Sequence, residues 1–318
     1  MYRLVGFTLC CLIGLLGSNQ AQARYASVVI EAASGKVLHA VNADTRNFPA
    51  SLTKIMTLYL TFEALDSGRL QLSRKLSVSR IAASRSPSKL GLRHGQSITV
   101  RDIIGTLVTK SANDAATVIA EALAGSERAF ARVMTRKAVE LGMTKTTFRN
   151  ASGLPHWRQR STARDMAILA RALVHELPNH YHFFSLKNYR YAGQNYRNHN
   201  RFLSRYDGAD GIKTGYISSS GYNLVASAER NGTRLITVVF GGKSPRWRDR
   251  HVTRLMNRGF AALRGTRKTV PTRPSTVWPP PPKSKPYTDE ARGLSILDAF
   301  KRYAKTHPAV TRAANAPR

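Results

Sequence analysis

Strand-like runs open and close the folded part of this chain, and almost everything between them carries helical patterning. Tyr25 to Ala32 and Lys36 to Val41 are β-rich around a Ser34-Gly35 turn, which reads as a hairpin. Near the other end, Asn223 to Ala228 and Arg234 to Phe240 flank Asn231-Gly232, a two-residue hairpin signal. Strands so distant in the chain bury their apolar faces most simply by joining one sheet, with helices packed against it. Ser51 to Leu65 places Ile55, Met56, Leu58, Tyr59 and Phe62 at helix-compatible spacings. Val100 to Val108, Asp114 to Ala124, Arg128 to Leu141 and Arg164 to His175 repeat that pattern, so the stretch from about 70 to 200 reads as mostly helical, and Arg246 to Leu263 as a last helix. The fold class is therefore α/β (α+β): an antiparallel sheet built from both chain ends, flanked by helices, with an inserted helical lobe.

The ends of the chain read differently. Residues 1–23 resemble an export leader, with Arg3, an apolar run from Val5 to Leu16, and Ala21-Gln22-Ala23 as a small-x-small cleavage site. That run is short of the ~20 residues needed to span a bilayer. The folded domain is assigned to residues 24–264, and 265–318 hold nine of the 14 prolines. Residues 265–288 read as an extended Pro-rich linker. Residues 289–318 read as a basic tail, either disordered or with one short helix over Asp289 to Lys305. The expected address is exported: periplasm or cell surface, peripheral to the membrane if the tail docks there.

The formal charge is +32. The basic residues run along the whole chain rather than in one stripe, so with an export address the reading is no nucleic acid. Anionic cell-wall polymer or a membrane surface, contacted through the basic tail, fits better, and a solvated basic surface is the plain alternative. Both cysteines, Cys10 and Cys11, lie in the leader, which leaves the mature chain no disulfide and no thiol nucleophile. No cofactor and no metal is expected.

Three short motifs carry chemistry. Ser51 and Lys54 stand three residues apart at the start of an apolar helix, so both side chains leave one face. A serine hydroxyl needs a base, and lysine serves only if its pKa falls, through burial, a helix N-terminus or a second cation. Ser111-Ala112-Asn113 offers a hydroxyl that can relay a proton and an amide that can bind a peptide group. A helix cap beside Asp114 explains the same residues. Lys213-Thr214-Gly215, just before the β-rich run, offers a cation and a hydroxyl for a carboxylate, and a glycine that admits close backbone approach. The backbone N–H groups of Ser51 and Tyr216 can form an oxyanion hole. One motif proves little: Ser86-Pro87-Ser88-Lys89 repeats the first pattern, with no apolar helix behind it, and reads as a loop.

In this order, the three motifs resemble those of the serine D-alanyl-D-alanine carboxypeptidases, the low-molecular-mass penicillin-binding proteins of the β-lactamase/transpeptidase-like fold. Asp210-Gly211-Ile212, Gly221-Tyr222-Asn223-Leu224-Val225-Ala226 and Ser161-Thr162-Ala163-Arg164-Asp165-Met166-Ala167 extend the similarity over about Tyr25 to Leu263. The resemblance implies that Ser51 is the acylated nucleophile, Lys54 its base and Ser111 a proton relay. It gives Asn113 the substrate peptide, and Lys213 and Thr214 the terminal carboxylate. Arg248 matches a family arginine near that carboxylate, although an exposed basic helix accounts for it equally. The implied reaction removes the terminal D-alanine from peptidoglycan stem peptides, with β-lactams as acylating inhibitors. Arg190, Arg197, His199, Arg201 and Arg205 form a basic cluster suited to an anionic stem.

Other readings share some of these features. A D,D-endopeptidase cutting cross-links uses the same site. A β-lactamase needs a deacylating glutamate, for which Glu176-Leu177-Pro178-Asn179 is the nearest candidate and is poorly spaced. A zinc peptidase would have to use His180-Tyr181-His182, which lacks a nearby carboxylate and reads as an exposed loop. A non-enzymatic cell-wall binding protein would need nothing reactive in the motifs.

Overall fold

The structure is a computed structural model and describes residues 24–266. The leader, and the linker and tail beyond residue 266, lie outside the described residues. Nine strands occur in the order β1 (Ala26–Glu31), β2 (Val37–Val41), β3 (Lys75–Ser77), β4 (Ser97–Thr99), β5 (Asn188–Tyr191), β6 (Gln194–Arg197), β7 (Ala209–Ile217), β8 (Gly221–Arg230) and β9 (Thr233–Gly242). The helices are α1 (Thr53–Asp66), α2 (Arg80–Ala83), α3 (Val100–Thr109), α4 (Asn113–Ala124), α5 (Glu127–Glu140), α6 (Ala163–Glu176), α7 (Pro178–Tyr181) and α8 (Pro245–Thr266).

Five strands form one antiparallel sheet, ordered β2-β1-β9-β8-β7, so the two chain ends meet where β1 pairs with β9. Val29, Leu224, Ala226, Ala228, Leu235 and Val239 face α8, which returns Val252, Leu255, Met256 and Phe260. Their strand neighbours Val28, Ile30, Val225, Ile236, Val238 and Phe240 point the other way, into a core shared with α1 and α6. A sheet covered on both faces needs apolar residues at successive positions, which is why these strands read as runs rather than alternations. Helices α1 and α4 are buried along nearly their whole lengths and form the centre of the helical lobe.

Two expectations change. The stretch from about 70 to 200, expected to be mostly helical, also holds four strands, because β3 pairs with β4 and β5 with β6 in two small two-stranded sheets. The second turns through Ala192 (φ 46) and Gly193 (φ 78), a left-handed pair suited to a two-residue hairpin. His180-Tyr181-His182 is not a loop: Tyr181 is buried at the end of α7, His180 stacks on Phe62, and a 3-10 turn starts at His182. The hairpin at Asn231-Gly232 and the first hairpin stand where the sequence puts them.

Candidate active site

Ser51 lies in a one-turn 3-10 segment, Ala50–Leu52, that runs directly into α1. Two glycines hold this turn. A Cβ on Gly153, whose φ is +88, would lie 1.8 Å from Ala50 O and 2.9 Å from Ser51 N. On Gly215 it would lie 3.1 Å from Pro49 O and 3.2 Å from Ser51 N. Gly215 therefore lets β7 pack against the serine turn, a constraint the sequence reading assigned to substrate approach. Ala50 itself is left-handed (φ 49), strain that this packing sustains.

Lys54 is fully buried one turn further on. Its Nζ donates to Asn113 Oδ1 at 2.8 Å and to the Ser152 carbonyl at 2.6 Å, and stands 3.3 Å from Ser51 Oγ. Burial pushes the amine well below its usual range and nearby Lys213 adds to this, with Glu127 and Asp114 opposing. A neutral amine has two N–H donors and one lone pair. In that form the two carbonyl acceptors would take both donors and leave the lone pair for the Ser51 hydroxyl.

Asn113 opens α4, whose N-cap is Ala112 without a side-chain bond, so Ser111 and Asn113 are not a cap. Ser111 is left-handed (φ 62), and its buried Oγ has no hydrogen-bond partner among the described residues. Asn113 Nδ2 donates to Ser86 O at 2.8 Å and its backbone N–H to Ser88 O at 2.7 Å. The duplicate Ser86-Pro87-Ser88-Lys89 is thus a loop, as its sequence suggests, and it positions Asn113. Asp114 anchors this loop by accepting from the N–H groups of Leu90, Gly91 and Leu92.

Lys213-Thr214-Gly215 lies inside the edge strand β7, not ahead of the β-rich run. Lys213 is buried, donates to Thr214 O at 3.1 Å, and is held down to about 7 by burial and the Arg248 charge. Arg248 is 4% exposed, which sets aside an exposed basic helix as its explanation. Its guanidinium pairs with Asp249 at 2.7 Å and reaches Asn223 O at 3.5 Å. Tyr216 is exposed and stacks on Tyr222 with ring centroids 4.3 Å apart.

These elements enclose a cleft of about 940 Å³. Ser51, Ser111, Asn113, Thr214, Gly215, Tyr216 and Arg248 line it, while Lys54 and Lys213 stand buried behind its wall. Of the basic cluster, Arg197, His199 and Arg201 line the cleft; Arg205 borders a neighbouring groove, and Arg190 lines neither. Burial and the charges of Lys213, Lys110, Lys54 and Arg248 hold His199 down to about 4, so it is neutral at pH 7. Glu176 accepts from Tyr59 and does not line the cleft. The sequence reading missed the 151–155 loop, whose Ser152 carbonyl and Gly153 build the site; its Ser-Gly-Leu-Pro run was the available turn signal.

A serine hydroxyl facing a buried lysine amine, beside a second hydroxyl and a cationic strand edge, on a two-sided α/β sheet, has the parts that serine–lysine acyl transfer requires. The Peptidase S11 family model, D-alanyl-D-alanine carboxypeptidase, matches residues 17–244, and the chain belongs to this family. It is 40% identical over 240 residues to D-alanyl-D-alanine carboxypeptidase DacC of Escherichia coli, covering 73% of this chain and 60% of that one. With DacF of Bacillus subtilis it shares 38% identity over 255 residues, covering 77% of this chain and 64% of the relative. The chain thus spans less than two thirds of the length of either relative. The ampicillin-bound structure of penicillin-binding protein D2 from Listeria monocytogenes superposes with a TM-score of 0.68 at 32% identity, covering 74% of this chain and 96% of that one. The fold is that of the DD-peptidases and penicillin-binding proteins.

Proposed function

We propose that the chain is a serine D-Ala-D-Ala carboxypeptidase that trims peptidoglycan stem peptides. The observation that carries this is the buried setting of Lys54: its Nζ stands 3.3 Å from Ser51 Oγ while two carbonyl oxygens accept from it, so the amine, once neutral, keeps its lone pair for Ser51. Ser51 Oγ attacks the carbonyl of the terminal peptide bond, and Lys54 takes its proton. The Ser51 and Tyr216 N–H groups receive the oxyanion. Ser111, whose Oγ has no partner of its own, passes the proton to the leaving amine as the C–N bond breaks and D-alanine departs. Water then hydrolyses the Ser51 ester. Asn113 also binds the substrate peptide, while Lys213, Thr214 and Arg248 hold the terminal carboxylate. Since the carboxylate favours protonated Lys213, substrate binding raises the pKa of that group.

The same geometry supports β-lactams as acylating inhibitors. The sole carboxylate lining the cleft among the described residues is Asp249, which is paired with Arg248, so a long-lived penicillin adduct is expected rather than turnover. The leader-like start supports export to the periplasm or cell surface, with the basic tail contacting anionic wall or membrane.

Mass spectrometry after penicillin exposure tests the nucleophile: one adduct is expected on Ser51 and none in Ser51→Ala, and no adduct on the native chain sinks the mechanism. Lys54→Ala should fold and acylate at least about 10²-fold more slowly, as loss of a general base implies. Release of D-alanine from pentapeptide monomers, against cleavage of cross-linked dimers, separates the carboxypeptidase from an endopeptidase.

A further inference from the structure

Helix α8 carries six arginines against a single acidic residue, Asp249, which is committed to Arg248. Arg246, Arg250, Arg254 and Arg258 recur every fourth residue and form one exposed stripe. Like charges at this spacing destabilise a helix, and Arg246 stands in the first turn, where the helix dipole disfavours cations. Helical order thus gathers into a stripe residues that look dispersed in the sequence. Among the described residues no carboxylate pairs with Arg205, Arg246, Arg250, Arg254 or Arg258.

The stripe borders a groove of about 610 Å³ between α8 and the 3-10 turn Arg201–Ser204, lined by Phe202, Arg205, Arg246, Trp247, Arg250 and Arg254. Asp249 lines both this groove and the catalytic cleft, so the two lie on either side of one shared wall. A concave site with four arginines that no described carboxylate neutralises suits discrete carboxylates on a flexible chain better than a flat bilayer.

We propose that this groove is a second binding site for the polymeric substrate, holding the carboxylates of a neighbouring stem peptide while one stem occupies the cleft. The proposal rests on the reading of the cleft as a peptidoglycan peptidase. Two linked sites on one polymer raise the effective concentration of the next stem without any new contact to the reacting one. A soluble single stem gains nothing from the groove.

The test is the full chain carrying Arg246→Gln, Arg250→Gln and Arg254→Gln together, compared with the triple Lys variant. D-alanine release is measured on a soluble pentapeptide and on intact peptidoglycan sacculi, alongside cosedimentation with sacculi, carboxyl-amidated sacculi and phosphatidylglycerol vesicles. With the Gln variant, kcat/KM on the peptide should stay within about twofold while the rate on sacculi falls at least about fivefold, as loss of one of two linked sites implies. The Lys variant should restore most of that loss, and amidated sacculi should bind the native chain weakly. Unchanged activity and sedimentation on sacculi overturn the proposal. So does an equal loss on both substrates, or arginine dependence confined to the vesicles, which marks a membrane surface instead. If the native chain fails to cleave the soluble peptide, the catalytic reading fails, and arginine-dependent binding to sacculi still decides the groove.

Discussion

Asn113→Asp changes one heavy atom at the point where Lys54, the proposed base, is held. Asn113 Oδ1 accepts from Lys54 Nζ at 2.8 Å. A carboxylate there places a negative charge in the same volume. At that distance and an effective interior dielectric of about 20, two unit charges attract by about 6 kcal/mol. That corresponds to ~4 units of lysine pKa at 1.36 kcal/mol per unit. Desolvation of the new carboxylate opposes the pairing, and about 2 units is a conservative floor. A protonated Lys54 has three donors and no lone pair, so Ser51 loses its base. Acylation at pH 7 should therefore slow, by up to ~100-fold for a two-unit rise, and climb up to about tenfold per pH unit, with its half-point displaced upward. The assay is the second-order rate constant for a fluorescent penicillin between pH 6 and 10, with circular dichroism to confirm the fold. A variant within tenfold of the native rate at pH 7, with an unchanged pH profile, would falsify the lone-pair argument.

The buried lysines also tie stability to pH. Burial depresses the folded-state pKa of Lys54, and that of Lys213 to about 7, against 10.5 for an ordinary lysine. Between those values the unfolded chain binds protons that the folded chain does not, so stability should rise with pH from about 7 toward 10.5. Urea midpoints at pH 7.5 and 9.5 should differ less in Lys213→Met than in the native chain, and equal differences would contradict the assignment. Gly153→Ala places a Cβ 1.8 Å from Ala50 O at a φ of +88. It should cost at least ~2 kcal/mol and lose most acylation, measured by thermal midpoint and penicillin labelling. A native-like midpoint would show that the loop moves away freely.

Much of the fold was legible because its signals are local. The Ser34-Gly35 and Asn231-Gly232 hairpins announce themselves within a few residues, and α3 to α6 follow a period that short windows capture. The β5–β6 hairpin escaped because its Ala192-Gly193 turn is a weak signal inside an apparently helical stretch. The strand character of Lys213-Thr214-Gly215 escaped because a polar run beside two glycines resembles a turn.

By itself the sequence determined which reactive side chains exist and their order: Ser51 and Lys54 one helical turn apart, Ser111 with Asn113, and Lys213 with Thr214. Tertiary structure alone decided what those groups are chemically. Lys54 meets Asn113 across 59 residues and Ser152 across 98, and its depressed pKa comes from burial and from Lys213, none of which a local window contains. The same holds for Arg248, read as a surface arginine or a site residue until packing buried it, and for the split of the basic cluster between cleft and groove. Spacing along a helix sets which side chains share a face; desolvation and hydrogen-bond partners depend on whatever the rest of the chain brings there.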